Sequence, residues 1–530
     1  MPDFHYLRCK FTNDLTILYH ISLYLYIVAV FLASPFLRKA ALFHKGRRGL
    51  IKTVGAEMSE LETAGDKDNS SCDVIAERDA CRHEEQSEYI QSSGIGEVQG
   101  GDIGDASDGS TNLGNTTRSS GVLWVHCASV GEFEQARPVI EGYKEQHPAD
   151  KIVVTFFSPS GYELRKNYAL ADKVFYLPMD TVRNARRFIE AVKPTAVVFI
   201  KYEFWRNYLK ILKQKGIPVY LVSGIFRDDQ RFFKWWGGSF RKILTAFTHF
   251  FVQDENSCRL LNSAGFENVT LSGDTRFDRV HKIASESKEI EIVRDFVAVG
   301  TAPVIIAGSS WPADEDIISE CCAKLSAAKL VVAPHEIGEK HIERLLALFE
   351  KRESVRYTDA AKNNLIQGSV QQDCITQSCS TDAADNRSVA QSCNMNAVGS
   401  IDVMQNDSAA RESVLVIDTI GILSSIYKYG SIAYIGGGFG AGIHNILEAA
   451  VYGIPVVFGP KYQKFKEARD LIALGGAFSV NNSKEYCAIM ERLLNDESYR
   501  MECGAICRKY VEDNLGATDK ILEQMQMERT

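Results

Sequence analysis

Two sets of short apolar runs, separated by helical patterns, constrain the fold of this chain more than any other feature. Val122–Cys127, Ile152–Phe157, Val197–Ile200, Val219–Val222 and Phe250–Val252 make the first set. Helical patterns such as Phe133–Gln146 and Val182–Val192 lie between them. The alternation restarts after Ser287 with Val304–Ala307, Leu330–Ala333, Val414–Ile417, Ile432–Ile435 and Val456–Phe458. Unbroken apolar runs of this length, alternating with helices, mark parallel strands buried on both faces. Two such sets predict an α/β chain of two Rossmann-like domains facing a central cleft. Ligands in such sheets bind beyond the carboxyl ends of the strands.

The segments outside these sets are polar or strongly apolar. Asp66–Ser120 is rich in Ser, Gly, Asp, Asn and Glu, and a second polar stretch covers about 359–411. The domain reading is therefore an N-terminal anchor and basic flank over 1–52 and a flexible polar linker over 53–120. A first α/β domain follows over 121–287, then a second over 288–530 carrying the polar insertion. Leu15–Leu37 has no formal charge apart from a possible one on His20, and is long enough to cross a bilayer. Tyr19, Tyr24 and Tyr26 suit an interface. Arg38, Lys39, Lys45, Arg47, Arg48 and Lys52 follow it, against Arg8 and Lys10 before it, which places the main body in the cytoplasm. A membrane anchor, spanning or lying in the interface, is expected. A buried core helix and a cleaved signal peptide are the alternatives.

Composition removes some functions. A net charge of −8 does not mark a nucleic-acid binder. The 13 cysteines are irregularly spaced with no CxxC, so reduced thiols are expected, without disulfides or zinc.

Chemistry-bearing residues cluster at the ends of the apolar runs. Gly436–Gly442 follows Ile432–Ile435 and precedes a helical pattern starting at Asn445. Glycines let backbone approach a ligand, and a helix start offers N–H groups to an anion, which fits a nucleotide phosphate. Glu448 would then accept from sugar hydroxyls. Asn445 and Glu448 also match a capping box, and so do Ser129 and Glu132 in HCASVGE after Val122–Cys127. A carboxylate at Glu132, at a strand's carboxyl end, is placed to take a proton from an attacking hydroxyl. Glu203, in KYEFW after Val197–Ile200, puts a second acid on the same rim; a buried, paired acid is the structural alternative. Arg276 in GDTRFD is a cation able to face developing negative charge, or to pair with Asp278 or Glu203. Arg231–Arg241 interleaves bases with aromatics, as a membrane surface or a packed helix would. GSSW at Gly308–Trp311 and APHE at Ala333–Glu336 are further rim loops.

ASVGE at Ala128–Glu132, YEFW at Tyr202–Trp205, GDTRFD at Gly273–Asp278 and the glycine segment Gly436–Pro460 together resemble the bacterial 3-deoxy-D-manno-octulosonic acid (Kdo) transferases, in a Bacteroidetes-type form. The resemblance covers the N-terminal apolar helix, about Gly121–Tyr357 and Ser413–Met525, and leaves out the two polar stretches. It implies a GT-B fold and an inner-membrane enzyme working on the cytoplasmic side. Such enzymes move Kdo from CMP-Kdo to the lipid A precursor, lipid IVA, without metal or cofactor. By similarity, Glu132 matches the general base, and Glu203 and Arg276 match positions that stabilise the transition state. Pro334, His335, Ile420, Gly421, Ile422, Asn445, Ile446, Leu447 and Glu448 match segments that hold CMP. Two positions depart from the pattern. His335 stands where many members have Arg, and Arg276 where Lys is more usual. Another GT-B nucleotide-sugar enzyme, such as a different glycosyltransferase or a sugar-nucleotide epimerase, is the competing reading. A non-catalytic membrane scaffold is a third.

Overall fold

The computed structural model describes residues 19–68, 120–298, 300–322, 328–362 and 413–528. Residues 15–18 of the expected anchor, Arg8 and Lys10, the polar stretch over 69–119 and the insertion from 363 lie outside these. The chain forms two compact units, residues 1–275 with 516–530, and residues 276–515. The first unit's sheet comprises Val122–Cys127 (β1), Lys151–Phe156 (β2), Lys173–Tyr176 (β3), Ala196–Ile200 (β4), Val219–Gly224 (β5), His249–Val252 (β6) and Val269–Leu271 (β7). Its spatial order is β3-β2-β1-β4-β5-β6-β7, all parallel. The second comprises Val304–Ser310 (β8), Lys329–Pro334 (β9), Glu353–Arg356 (β10), Ser413–Val416 (β11), Ile432–Ile435 (β12), Val456–Phe458 (β13) and Ala477–Ser479 (β14). Its order is β10-β11-β9-β8-β12-β13-β14, also all parallel.

The first order reverses once, between β1 and β4; the second turns between β8 and β12, and in addition β11 is inserted between β9 and the edge strand β10. Adjacent crossovers leave opposite faces at such a point, opening a crevice beyond the strand ends.

The core follows from strand alternation. Trp124, Val153, Val197 and Phe199 point to one face of the first sheet. Leu123, Val125, Val154 and Val198 point to the other, where Phe133, Ala136 and Ile140 of helix Val130–Gln146 cover them. Ile521, Leu522 and Met525 from the last helix, Ala517–Met527, complete that layer. The chain's end therefore packs with the first unit, whereas the sequence boundary assigned it to the second. Residues 276–287 move the other way, because helix Arg276–Ser285 packs Phe277 and Val280 into the second core.

Two N-terminal expectations change. Residues 53–68 are not linker but part of a helix, Leu50–Asp68, with Val54 and Met58 buried against the first core. Leu50, Val54, Met58 and Leu61 already carry helical spacing. The apolar run is not one straight helix either. Tyr19–Ala33 ends before Ser34-Pro35, and Arg38–Arg47 departs at 119°. Among the described residues no single helix is long and apolar enough to cross a membrane. Leu23, Ile27 and Val30 pack toward Phe43, Met179 and Phe157, while Leu25, Phe31 and Leu32 face outward. Arg47, counted above as a flanking charge, turns inward. Its Nε and Nη2 donate to Leu177 O (3.0 Å) and Phe157 O (2.7 Å), and burial lowers its pKa to about 10.

The expectation of reduced cysteines fails for one pair. Cys321 and Cys487 are disulfide-bonded, with Cα atoms 5.6 Å apart, because helices Pro312–Cys322 and Ser483–Asn495 lie side by side on the second sheet. A sequence separation of 166 hides that contact.

Candidate active site

In the first unit, the two acids singled out above lie beyond the carboxyl ends of the two strands that flank the switch point, β1 and β4. Helix Val130–Gln146 starts directly after β1, with Ser129 as an extended N-cap residue. The Ser129 side chain makes no capping bond. Glu132 reaches back past the N-cap residue, its Oε2 accepting from Ala128 N–H at 2.5 Å. Burial, then the charge of Glu203, push the Glu132 carboxyl up to about 7, while the Ala128 and Ser129 N–H groups and Lys201 pull the other way. A carboxylate tuned to neutral pH is matched to proton abstraction there.

Glu203 follows β4 and is buried. Its Oε2 accepts from Trp205 Nε1–H at 2.5 Å and lies 3.1 Å from His126 Nε2. Lys201, two residues before it, has φ +58°. A non-glycine residue in that region is strained, and here the strain turns the chain sharply at the strand's end. The GDTRFD segment is tied to the helix bearing Glu132. Thr275 Oγ1 donates to Gln135 O (2.6 Å) and Gln135 Nε2 donates to Asp274 Oδ1 (3.0 Å).

The second unit builds its rim from β8, β9 and β12. Asp314 is fully buried. It accepts from Trp311 N–H (2.9 Å), Gly437 N–H (2.9 Å) and Tyr434 O–H (2.7 Å). One carboxylate thereby pins the glycine loop to helix Pro312–Cys322. The glycines answer first to backbone. A Cβ on Gly436 would lie 2.2 Å from Ser309 O, and one on Gly438 2.6 Å from Gly459 Cα. The sequence reading assigned that space to a ligand; at these two positions neighbouring rim loops fill it. The helix expected from Asn445 is short, Leu447–Ala450, so it adds little dipole. Asn445 Oδ1 accepts from Leu447 N–H (3.3 Å), and its Nδ2 donates to Glu448 Oε1 (3.1 Å), but the N-cap residue is Ile446 and the expected capping box does not form.

His335 follows Pro334 at the end of β9 and stacks between Trp311 and His444, with ring centroids 4.6 Å from each. Trp311 Nε1–H donates to His444 Nε2 at 3.2 Å. Burial and His335 lower the pKa of His444. Gly421 has φ +100°, turning the Ile420–Ile422 loop, on which Ile420 is exposed. Arg276 donates to Glu467 Oε1 at 3.0 Å, a partner 191 residues away that nothing local in the sequence suggests. Each unit thus brings its own predicted residues to one rim. His126, Asp314, Trp311 and His444 carry much of that geometry and were read without a role. Among the described residues no three His, Cys, Asp or Glu side chains are grouped to hold a metal.

The family described as 3-deoxy-D-manno-octulosonic-acid transferase (kdotransferase) matches residues 107–279, the span holding Glu132, Glu203 and Arg276. The 3-deoxy-D-manno-octulosonic acid transferase of Aquifex aeolicus is 26% identical over 383 residues, covering 71% of this chain and 86% of that protein. That of Bordetella pertussis is 24% identical over 420 residues, covering 76% and 86%. Over residues 107–279, and in these relatives over about three quarters of its length, the chain is similar to the Kdo transferases. Among solved structures, UDP-GlcNAc 2-epimerase from Neisseria meningitidis aligns with a TM-score of 0.50 at 14% identity, over 77% of this chain and 99% of that one. At that identity the likeness speaks for fold alone. The two parallel α/β sheets have the GT-B architecture.

Proposed function

We propose that the protein transfers Kdo from CMP-Kdo to lipid IVA, with inversion, and that Glu132 is the general base. The observation that carries this reading is Glu132 itself, a carboxyl at the β1–β4 switch point whose pKa burial and Glu203 bring to about 7. The second unit holds CMP through Pro334-His335, Ile420–Ile422 and Asn445–Glu448, with Glu448 accepting from the ribose hydroxyls. The acceptor's sugar hydroxyl attacks the anomeric carbon of Kdo as Glu132 takes its proton. A new C–O bond forms, and the bond to the CMP phosphate oxygen breaks with its electron pair leaving on CMP. Arg276 offsets charge on the donor, which carries both a carboxylate and a phosphate. Mass spectrometry of lipid recovered after incubating the full chain with CMP-Kdo and lipid IVA tests this. Kdo-bearing lipid with stoichiometric CMP release is expected, and unmodified lipid without CMP release rejects it.

The reading includes no divalent ion, so chelation is informative. Initial rates in excess EDTA should match untreated enzyme within about twofold. A loss restored only by added Mg²⁺ or Mn²⁺ would show that charge on the donor is met by a metal after all.

We place the protein on the cytoplasmic face of the inner membrane, with helix Tyr19–Ala33 lying in the interface. Its outward face shows Leu25 and Leu32, each 64% exposed, beside exposed Phe36 and Leu37. The Arg231–Arg241 segment divides between both earlier readings. Phe232 and Phe233 pack against the first core, while Trp235 stands 92% exposed among Arg231, Lys234 and Lys242. Aromatic tips flanked by cations suit a headgroup layer. Leu25→Glu should weaken cosedimentation with vesicles containing phosphatidylglycerol by roughly tenfold or more. Equal binding by variant and wild type would remove this helix from the contact.

A further inference from the structure

His126 lies on β1, fully buried, and the transfer scheme above gives it no part. Its register partner on β2 is Thr155, so the two side chains share one face of the sheet. Trp124, two residues earlier on that face, donates from Nε1 to Thr155 Oγ1 at 2.8 Å. His126 Nδ1 lies 2.9 Å from the same Thr155 Oγ1 and 3.1 Å from Thr155 O. On the other side, Nε2 lies 3.1 Å from Glu203 Oε2. A carboxylate oxygen only accepts, so Nε2 must carry a proton. That proton also prevents Nε2 from accepting from Trp205, which lies 3.1 Å away, and leaves the Trp205 N–H to Glu203. Trp124, Thr155, His126 and Glu203 therefore form one continuous hydrogen-bond chain across β2, β1 and the end of β4. Two N–H donors converge on Oε2 and fix the rotamer of the carboxylate.

We propose that His126 is a positioning residue for the transfer reaction, holding Glu203 through its Nε2–H so that the second carboxylate oxygen is presented to the reacting groups. The proposal rests on the reading of Glu203 as part of the transfer site. His126 does not touch substrate, and it exchanges no proton during the reaction. A buried hydrogen-bond chain, rather than surface solvation, meets this carboxylate beyond the strand end where Lys201 bends the backbone.

The test compares full-length His126→Leu, His126→Gln, Glu203→Gln and the double variant His126→Leu/Glu203→Gln, assayed with CMP-Kdo and lipid IVA. His126→Leu should lower kcat roughly 10- to 100-fold with KM for CMP-Kdo within about threefold. His126→Gln, which keeps an N–H near the Nε2 position, should recover most of the loss. In the Glu203→Gln background, His126→Leu should cost no more than about twofold further, because the group it positions is already altered. A merely structural histidine predicts instead a lowered Tm, no rescue by Gln and losses that multiply. Near-normal kcat in His126→Leu beside a crippled Glu203→Gln overturns the proposal alone. Normal kcat in Glu203→Gln overturns the reading of Glu203, and the proposal with it.

Discussion

Glu132→Gln should lower kcat by roughly 10²- to 10⁴-fold, the usual weight of a general base, and should raise thermal stability at alkaline pH. The two effects share one cause. Burial and the Glu203 charge raise the folded carboxyl from 4.5 to about 7. Between those values the native state holds a proton that the unfolded chain has released. Stability is therefore fully present below the unfolded pKa, falls as pH rises through the window, and stays lowered above the folded pKa. The amide does not ionise, and its oxygen still accepts from Ala128 N–H. The variant should match wild type near the bottom of the window and exceed it above the top, by up to about 3 kcal/mol. Urea melts at both ends, beside initial rates, check the pair of effects. A variant that loses activity and stability together would point to a structural capping role for Glu132.

The second large effect concerns the glycine loop. Gly436→Ala sets a Cβ 2.2 Å from Ser309 O and 2.6 Å from Ser310 Cα, both backbone atoms that cannot rotate away. Overpacking of this kind costs about 3 kcal/mol. The displaced loop carries Gly437 N–H off the buried Asp314 carboxylate, adding the cost of an unsatisfied pair. The expected outcome is a clear drop in Tm and weakened CMP binding by calorimetry. Gly440→Ala is the control. Its nearest neighbour would be Gly437 O at 3.5 Å, an ordinary contact, so it should melt like wild type. If Gly436→Ala keeps its Tm and loses only CMP affinity, the glycine is there for the ligand and not for the neighbouring backbone.

The strands that the sequence revealed and those it hid differ in one physical respect. The ten apolar runs became the interior strands of the two sheets. The unforeseen strands, β3 and β7 in the first sheet and β10 and β14 in the second, are the four edges. Edge strands are covered on fewer sides, so Lys173–Tyr176 and Glu353–Arg356 need no continuous apolar run. Helix Leu50–Asp68 was legible in its spacing but hidden by the polar composition around it. At the site, Glu132 and Glu203 were visible because each directly follows a strand. Their setting was not. His126 meets Glu203 across 77 residues, and Asp314 meets Gly437 across 123. Such pairs exist only once parallel strands are ordered, and strand order is a property of the sheet, not of any local stretch. The same holds for Arg276, whose partner Glu467 comes from a later helix of the second unit.

The most direct measurement is the pH dependence of single-turnover Kdo transfer, run from mildly acidic to mildly alkaline conditions with wild type and Glu132→Gln side by side. Wild type should show a rate that rises with unit slope on the acid side and levels off above about 7, because only the ionised carboxylate accepts the acceptor's proton. The variant should be slow and lack that limb. A wild-type rate that is flat over this range, or an unchanged limb in the variant, would contradict the assignment of Glu132 as the base.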